Sequence, residues 1–165
     1  LSREEQEELI HTIREKVPGI ALRTTLIAGY PGDSESDFEE MLGFVERSRF
    51  ERLGVFTYSH EENTHAHNYN DDVPEEIKQE RANEIMAMQE QISYEINQTR
   101  VGNTYKVLLD RRESGNFIGR TEFDSPEVDN EVIISSEANH LRLGDFVNVK
   151  ITDATEFDLH GIPVL

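Results

Sequence analysis

Cysteine is absent from all 165 residues. That excludes disulfides, thiolate nucleophiles and any iron–sulfur or zinc site held by thiolates of this chain. Long apolar runs are missing too. No stretch approaches the roughly 18 residues a membrane-spanning helix needs, and neither a signal peptide nor a targeting tail is visible, so the expectation is a soluble protein of the cytoplasm with no membrane partner. Basic residues are few, 16 against 34 acidic ones, for a net charge of -18. Such a surface repels phosphate backbones and argues against direct RNA binding, while favouring a basic partner. Acidity that merely aids solubility is the bland alternative. Residues 1–99 and 100–165 are both acidic, so the charge marks no boundary. Neither an internal repeat nor a low-complexity tract appears. The first residue is Leu1 rather than methionine, which reads as a chain cut from something longer.

What is present divides into two patterns. Ser2 and Glu5 have capping-box spacing, and Leu9, Ile10, Ile13 and Val17 recur at helical intervals until Pro18-Gly19, which predicts a first helix. Ile20–Ala28 reads as a buried strand ending at the turn Gly29-Tyr30-Pro31-Gly32. Ser36 and Glu39 predict the cap of a second helix striped by Phe38, Met41, Leu42 and Val45, and Leu53–Tyr58 a second strand. Strand, helical crossover and strand make a right-handed parallel βαβ unit, with functional loops at the carboxyl ends of the strands. Two strands do not make a domain, so residues 1–97 read as part of a larger α/β barrel. Residues 59–72 read as a polar loop. Pro74 then opens a long helix, striped by Ile77, Ile85, Met88, Ile92 and Ile96, that ends near Asn97.

From residue 98 onward short β-rich runs replace the helical period. Tyr105–Leu109, Phe117–Thr121, Val132–Ser135, Phe146–Thr152 and Glu156–Leu159 predict five strands, with turns at Ser114-Gly115-Asn116 and Leu143-Gly144-Asp145. Five short strands over residues 98–165 predict an all-β, OB-like barrel of a kind that commonly binds a partner.

The residues offer little chemistry of their own. Gly29 to Asp33 joins a strand end to a helix start, where backbone N–H groups face a ligand in many folds, though simple punctuation explains it equally well. His60, His65 and His67 cluster beside Glu61, Glu62 and Asp71, but their spacing matches no zinc motif. No nucleophile has an adjacent base, and the helix carboxylates fit solvated faces. Catalytic and metal-binding residues are therefore not expected in this chain.

Several ordered motifs resemble one family. Arg23–Val45 (RTTLIAGYPGDSESDFEEMLGFV), Leu53–Ala66 (LGVFTYSHEENTHA) and Val73–Ser93 are similar to consecutive segments of the radical-SAM methylthiotransferases, and Val101–Leu165 resembles their terminal TRAM domain. Gly119–Val132 (GRTEFDSPEVDNEV) and the ending EFDLHG resemble the RimO-type branch, which modifies protein rather than transfer RNA. Asp33, His60 and Asn63 stand where the family commonly has glutamate, proline and glycine.

The resemblance implies the carboxy-terminal part of an enzyme that methylthiolates an aspartate of a basic small-subunit ribosomal protein. That enzyme uses S-adenosyl-L-methionine (SAM) and two 4Fe-4S clusters. The clusters would be held by cysteines upstream, leaving this stretch inactive alone. By the same resemblance Arg23, Gly29, Pro31 and Gly32 lie where SAM binds, a scaffold role being the alternative. Asp124, Glu127 and Asp129, in the acidic stretch 122–131, are candidates for recognising the basic substrate, with a solvated acidic loop as the alternative. Two competing functions remain open at this point: a transfer-RNA methylthiotransferase, which would need a positive stripe on the β-barrel, and a non-enzymatic protein-binding adaptor.

Overall fold

A computed structural model describes residues 2–126, 128–135 and 141–164. The chain divides into two compact units, Leu1–Ile92 and Ser93–Leu165.

The first unit opens with helix α1 (Arg3–Lys16), whose capping box of Ser2 and Glu5 forms as the spacing predicts. None of its described residues is buried. It is tied to its neighbour by Arg14, which donates to the carbonyls of Ser48 and Arg49 where the next helix ends, a favourable place for a cation, and by ion pairs of Glu7 with Arg47 and of Arg3 with Glu40. Strand β1 (Arg23–Ala28) pairs in parallel with β2 (Arg52–Thr57), from Arg23 opposite Arg52 to Ala28 opposite Thr57. β1 begins three residues later than the β-branched run implies. The Glu51 carboxylate takes the Leu22 N–H at 2.6 Å, and the Leu22 carbonyl accepts from Glu51 and Arg52, so the ladder starts just after.

Helix α2 (Glu35–Ser48) also begins earlier than expected. Its capping box is Ser34 with Asp37, not Ser36 with Glu39, because the chain enters the helix straight from a turn closed by Asp33 N–H on the Tyr30 carbonyl. One face of the β1–β2 pair leaves Ile27 (49% exposed) and Phe56 (69%) uncovered. Within the loop after β2 a single 3-10 turn, His65–Asn68, is capped by Thr64. Asn63, where the family commonly has glycine, holds φ 65°. Asparagine is among the few non-glycine residues that adopt this conformation readily.

Helix α3 (Glu75–Gln98) runs from the first unit into the second. Ile85 and Ile92 are buried as the stripe predicts, but Ile77 is exposed, the Ile85 face also buries Lys78, Arg81 and Gln89, and Asn97 is buried near the helix end. Gln89 donates to the Phe50 carbonyl at 2.8 Å, and Asn97 to the Thr155 carbonyl at 2.9 Å. Polar residues in the apolar register thus serve as ties to backbone that would otherwise be left unsatisfied.

The second unit is a closed barrel of β3 (Thr104–Glu113), β4 (Asn116–Arg120), β5 (Val132–Ile134), β6 (Phe146–Ala154) and β7 (Leu159–Pro163), in the order β3-β4-β5-β7-β6. β5 and β7 pair in parallel, and all other pairs are antiparallel. Val107, Leu109, Phe117, Val132, Ile134, Val149, Ile151 and Leu159 fill the interior. A side chain at Gly161 would lie 2.4 Å from Val149 Cγ1 and 2.8 Å from the Lys150 carbonyl oxygen, so β6 and β7 approach as they do only because glycine stands there. The fifth strand is Leu159–Pro163, not Glu156–Leu159. Thr155 Oγ1 accepts from Phe157 and Asp158 N–H, which bends residues 155–158 into a turn before the strand starts.

A closed barrel has no free edge, whereas the β1–β2 pair has two. Native-state hydrogen exchange is therefore expected to show α1 and the β1–β2 pair opening before the barrel core. Earlier exchange at Val107, Val149 and Ile151 than at Leu26 and Val55 would contradict this order.

Candidate functional site

The carboxyl ends of β1 and β2 carry a connected set of interacting side chains. Tyr58 N–H donates to the Ala28 carbonyl at 2.9 Å, holding the two exits together beyond the paired residues. Gly29 and Gly32 follow with φ of 74° and 87°. Tyr30 N–H donates to Asp33 Oδ2 at 2.9 Å, and Gly32 N–H to Asp72 Oδ1 at 2.8 Å. Burial pushes the Asp33 carboxyl up from its ordinary range, and the Tyr30 N–H opposes that. The start of α2 is satisfied in the same internal way. The Ser34 hydroxyl and N–H bond to Asp37 and hold its carboxyl below the usual range. The N–H groups of Tyr30, Gly32 and Asp33 are thus engaged within the protein, and the turn offers an incoming anion shape rather than donors.

Lys78 lies beneath this turn with its side chain fully enclosed. Its Nζ meets Asp71 Oδ2 at 2.7 Å and Glu75 Oε1 at 2.6 Å, and stands 5.3 Å from the centre of the Tyr58 ring. Its stem packs against Gly29 so closely that a Cβ there would fall 2.3 Å from Lys78 Cγ. Burial works against the ammonium charge, but Asp71 and Glu75 outweigh it, and the pKa rises above the ordinary lysine value. Arg81, one turn on, donates to the Asp33 carbonyl and to Glu35, each at 3.3 Å, with its guanidinium over the Phe38 ring.

The loop beyond β2 folds over the same end. His60 and His67 rings lie 4.5 Å apart and His65 lies 5.4 Å from Tyr69. Among the described residues no group of three or more His, Cys, Asp or Glu is placed to hold a metal ion.

The residues singled out from the sequence do not form one site. Gly29, Pro31 and Gly32 share the turn, but Arg23 opens β1 at its amino end, about 20 Å away by strand rise. In the barrel unit, Asp124 is buried and accepts from the Thr121 hydroxyl at 2.6 Å. Asp129 is partly exposed and accepts the Ser125 N–H at 2.7 Å. Glu127 lies outside the described residues. Asp71 was noticed only as a neighbour of the loop histidines, and Lys78, Asp72 and Arg81 went unnoticed in the sequence. Lys78 carried one signal, since it stands seven residues before the buried Ile85 and so on the buried face of α3.

Replacing Lys78 with methionine keeps the stem against Gly29 and removes the charge. The loss is expected to be about 2–3 kcal/mol, below the full range for a broken buried ion pair because the Glu75 side chain is 76% exposed. Urea denaturation of both proteins measures it. A lysine pKa raised on folding gives stability that is complete below the unfolded value and fades as pH climbs through the folded one. On the alkaline side the difference between wild type and variant is therefore expected to shrink above about pH 10.4.

Residues 101–164 match the TRAM domain family. A ribosomal protein uS12 methylthiotransferase RimO from Cytophaga hutchinsonii is 60% identical over 161 residues, which are 98% of this chain and 37% of that protein. RimO proteins from Christiangramia forsetii and Phocaeicola vulgatus are 55% and 50% identical, each over 98% of this chain and over 36% and 38% of their own lengths. The chain thus spans somewhat over a third of the length of the curated relatives it matches. Along 98% of its length the chain is similar to RimO proteins, and its residues 101–164 match the TRAM domain family.

Proposed function

We propose that this stretch serves a methylthiotransferase that adds a methylthio group to an aspartate of ribosomal protein uS12, and that its barrel recognises that protein. The observation that carries the reading is 60% identity across 98% of the chain to a protein named for this activity. SAM and two 4Fe-4S clusters would supply the radical and sulfur chemistry of the whole enzyme. With no cysteine in 165 residues, this stretch does not fit the clusters, which are held by sequence outside it. The stretch alone is accordingly inactive and binds no cluster. Gly29, Pro31 and Gly32 would border the SAM end of the parallel strands, whereas Arg23 belongs to the opposite end of β1. The open space over Gly32, where no atom lies within 4 Å of a would-be Cβ, accommodates a ligand close to the backbone.

Recognition of a basic ribosomal protein rests on charge. The second unit is acidic, and Arg111 and Arg120 on its surface are already engaged by Glu131 and Asp110. The exposed Glu122 and partly exposed Asp129 face solvent in the acidic stretch, while Asp124 serves it as an internal tie. Steering by such charges raises association rates and fades as salt screens them.

Rapid-mixing measurement of uS12 association with this chain tests the reading. The Glu122→Gln, Asp129→Asn variant is expected to associate about two- to threefold more slowly at low salt and equally at 1 M salt. Asp124→Asn is expected instead to destabilise the barrel by about 1–2 kcal/mol. Unchanged association of the double variant at low salt, or tight salt-sensitive binding of transfer RNA by the wild type, would overturn the proposed recognition.

A further inference from the structure

Six rings meet at the carboxyl ends of β1 and β2. Tyr30 stands edge-on to Tyr58 at 5.5 Å and to Tyr69 at 6.4 Å. Tyr58 continues to His60 at 6.3 Å, His60 to His67 at 4.5 Å, and Tyr69 to His65 at 5.4 Å. Tyr58 is buried and Lys78 already lies beneath its ring, but the other five rings reach solvent, Tyr30 at 38% and Tyr69 at 46% exposure. Aromatic rings left this open in a structured loop are the kind of group that anchors a partner.

The loop is built rather than loose. Thr64 Oγ1 donates to the Glu61 carbonyl at 2.9 Å and accepts from His67 N–H at 3.2 Å. Asn68 Nδ2 donates to the His65 carbonyl at 3.1 Å, and Tyr69 N–H to the Ala66 carbonyl at 3.0 Å. A platform already ordered loses little entropy when it binds.

Charge decides what it binds. Glu61 and Glu62 are exposed beside the rings. The bases at this end are enclosed: Lys78 lies between Asp71 and Glu75, and Arg81 lies on the Asp33 carbonyl and Glu35. Tyrosine ring faces and carboxylates both attract cations, and the lysine and arginine side chains at this end are already engaged by carboxylates.

Building on the proposed function, we infer that the Tyr30–Tyr69 ring platform receives an arginine or lysine side chain of the basic protein substrate, holding the target aspartate's segment at the strand carboxyl ends. The cation is the substrate's, not the sulfonium of SAM, because only Tyr30 belongs to the Gly29–Gly32 turn, while Tyr69, His65, His60 and His67 stand on the loop beyond β2. This adds a second contact to the barrel's, made through π faces rather than through long-range charge.

The test uses an enzyme of the relatives' length carrying this stretch, with uS12 and SAM affinities measured separately by calorimetry. Tyr30→Leu with Tyr69→Leu is expected to weaken uS12 binding roughly tenfold, and Tyr69→Leu alone about threefold. Tyr30→Phe with Tyr69→Phe keeps the ring faces and is expected to bind within about twofold of wild type, and SAM affinity is expected to hold throughout. Wild-type affinity in the leucine variants, or equal losses in the phenylalanine and leucine pairs, would overturn the inference. A parallel fall in SAM affinity would assign the platform to the sulfonium instead. Methylthiolation of uS12 with ring-independent affinity overturns this inference alone. A wild-type enzyme that neither binds nor modifies uS12 overturns the proposed function with it.

Discussion

The first unit depends on one buried cation. Removing an ammonium from water costs several kcal/mol, and Lys78 is tolerated only because Asp71 and Glu75 meet it at hydrogen-bonding distance. Three segments converge there. The ammonium joins the first turn of α3 to the loop, and the stem beneath Gly29 fixes the strand-end turn. The next residue in the loop completes the arrangement. Asp72, adjacent to Asp71, accepts the Gly32 N–H, so consecutive aspartates bind the loop to the helix on one side and to the turn on the other. The ring platform is thereby carried on backbone held at both ends.

The same division of labour recurs elsewhere in this acidic chain. Arg14 caps the end of α2, Arg81 holds the start of that helix, and in the barrel unit Arg111 forks onto Glu131 at 2.6 and 2.9 Å. These cations are consumed internally. The excess of carboxylates is consequently what solvent and partners meet, which gives a net charge of -18 its outward effect.

Elements with a strong period were legible in the sequence. The Ser2 box and the extent of α3 appear where pattern alone put them, as do Ile85 and Ile92 of its stripe and the starts of β3 and β6, although Ile77 is exposed and β3 runs on to Glu113. Boundaries were less so, because side chains rather than propensity set them: Glu51 delays β1, Ser34 outcompetes Ser36, and Thr155 bends the chain before β7. The candidate site was legible only as a turn. Asp124 reads as one more surface acid, and nothing in its neighbours signals that it folds back onto Thr121. The ring platform joins residues separated by up to 39 positions, Tyr30 to Tyr69, a proximity created by the parallel pairing and the Lys78 tie.

The central claim is that this sequence can perform its relatives' role in modifying a ribosomal protein. Exchanging it for the matching stretch of the Cytophaga hutchinsonii RimO protein, which is 60% identical, puts that claim to a direct test by mass spectrometry of uS12 from cells making the chimaera. The account predicts that the methylthio group appears on uS12 as it does with the unexchanged protein. A folded chimaera, loaded with its clusters, that leaves uS12 unmodified while the unexchanged protein modifies it would contradict the account.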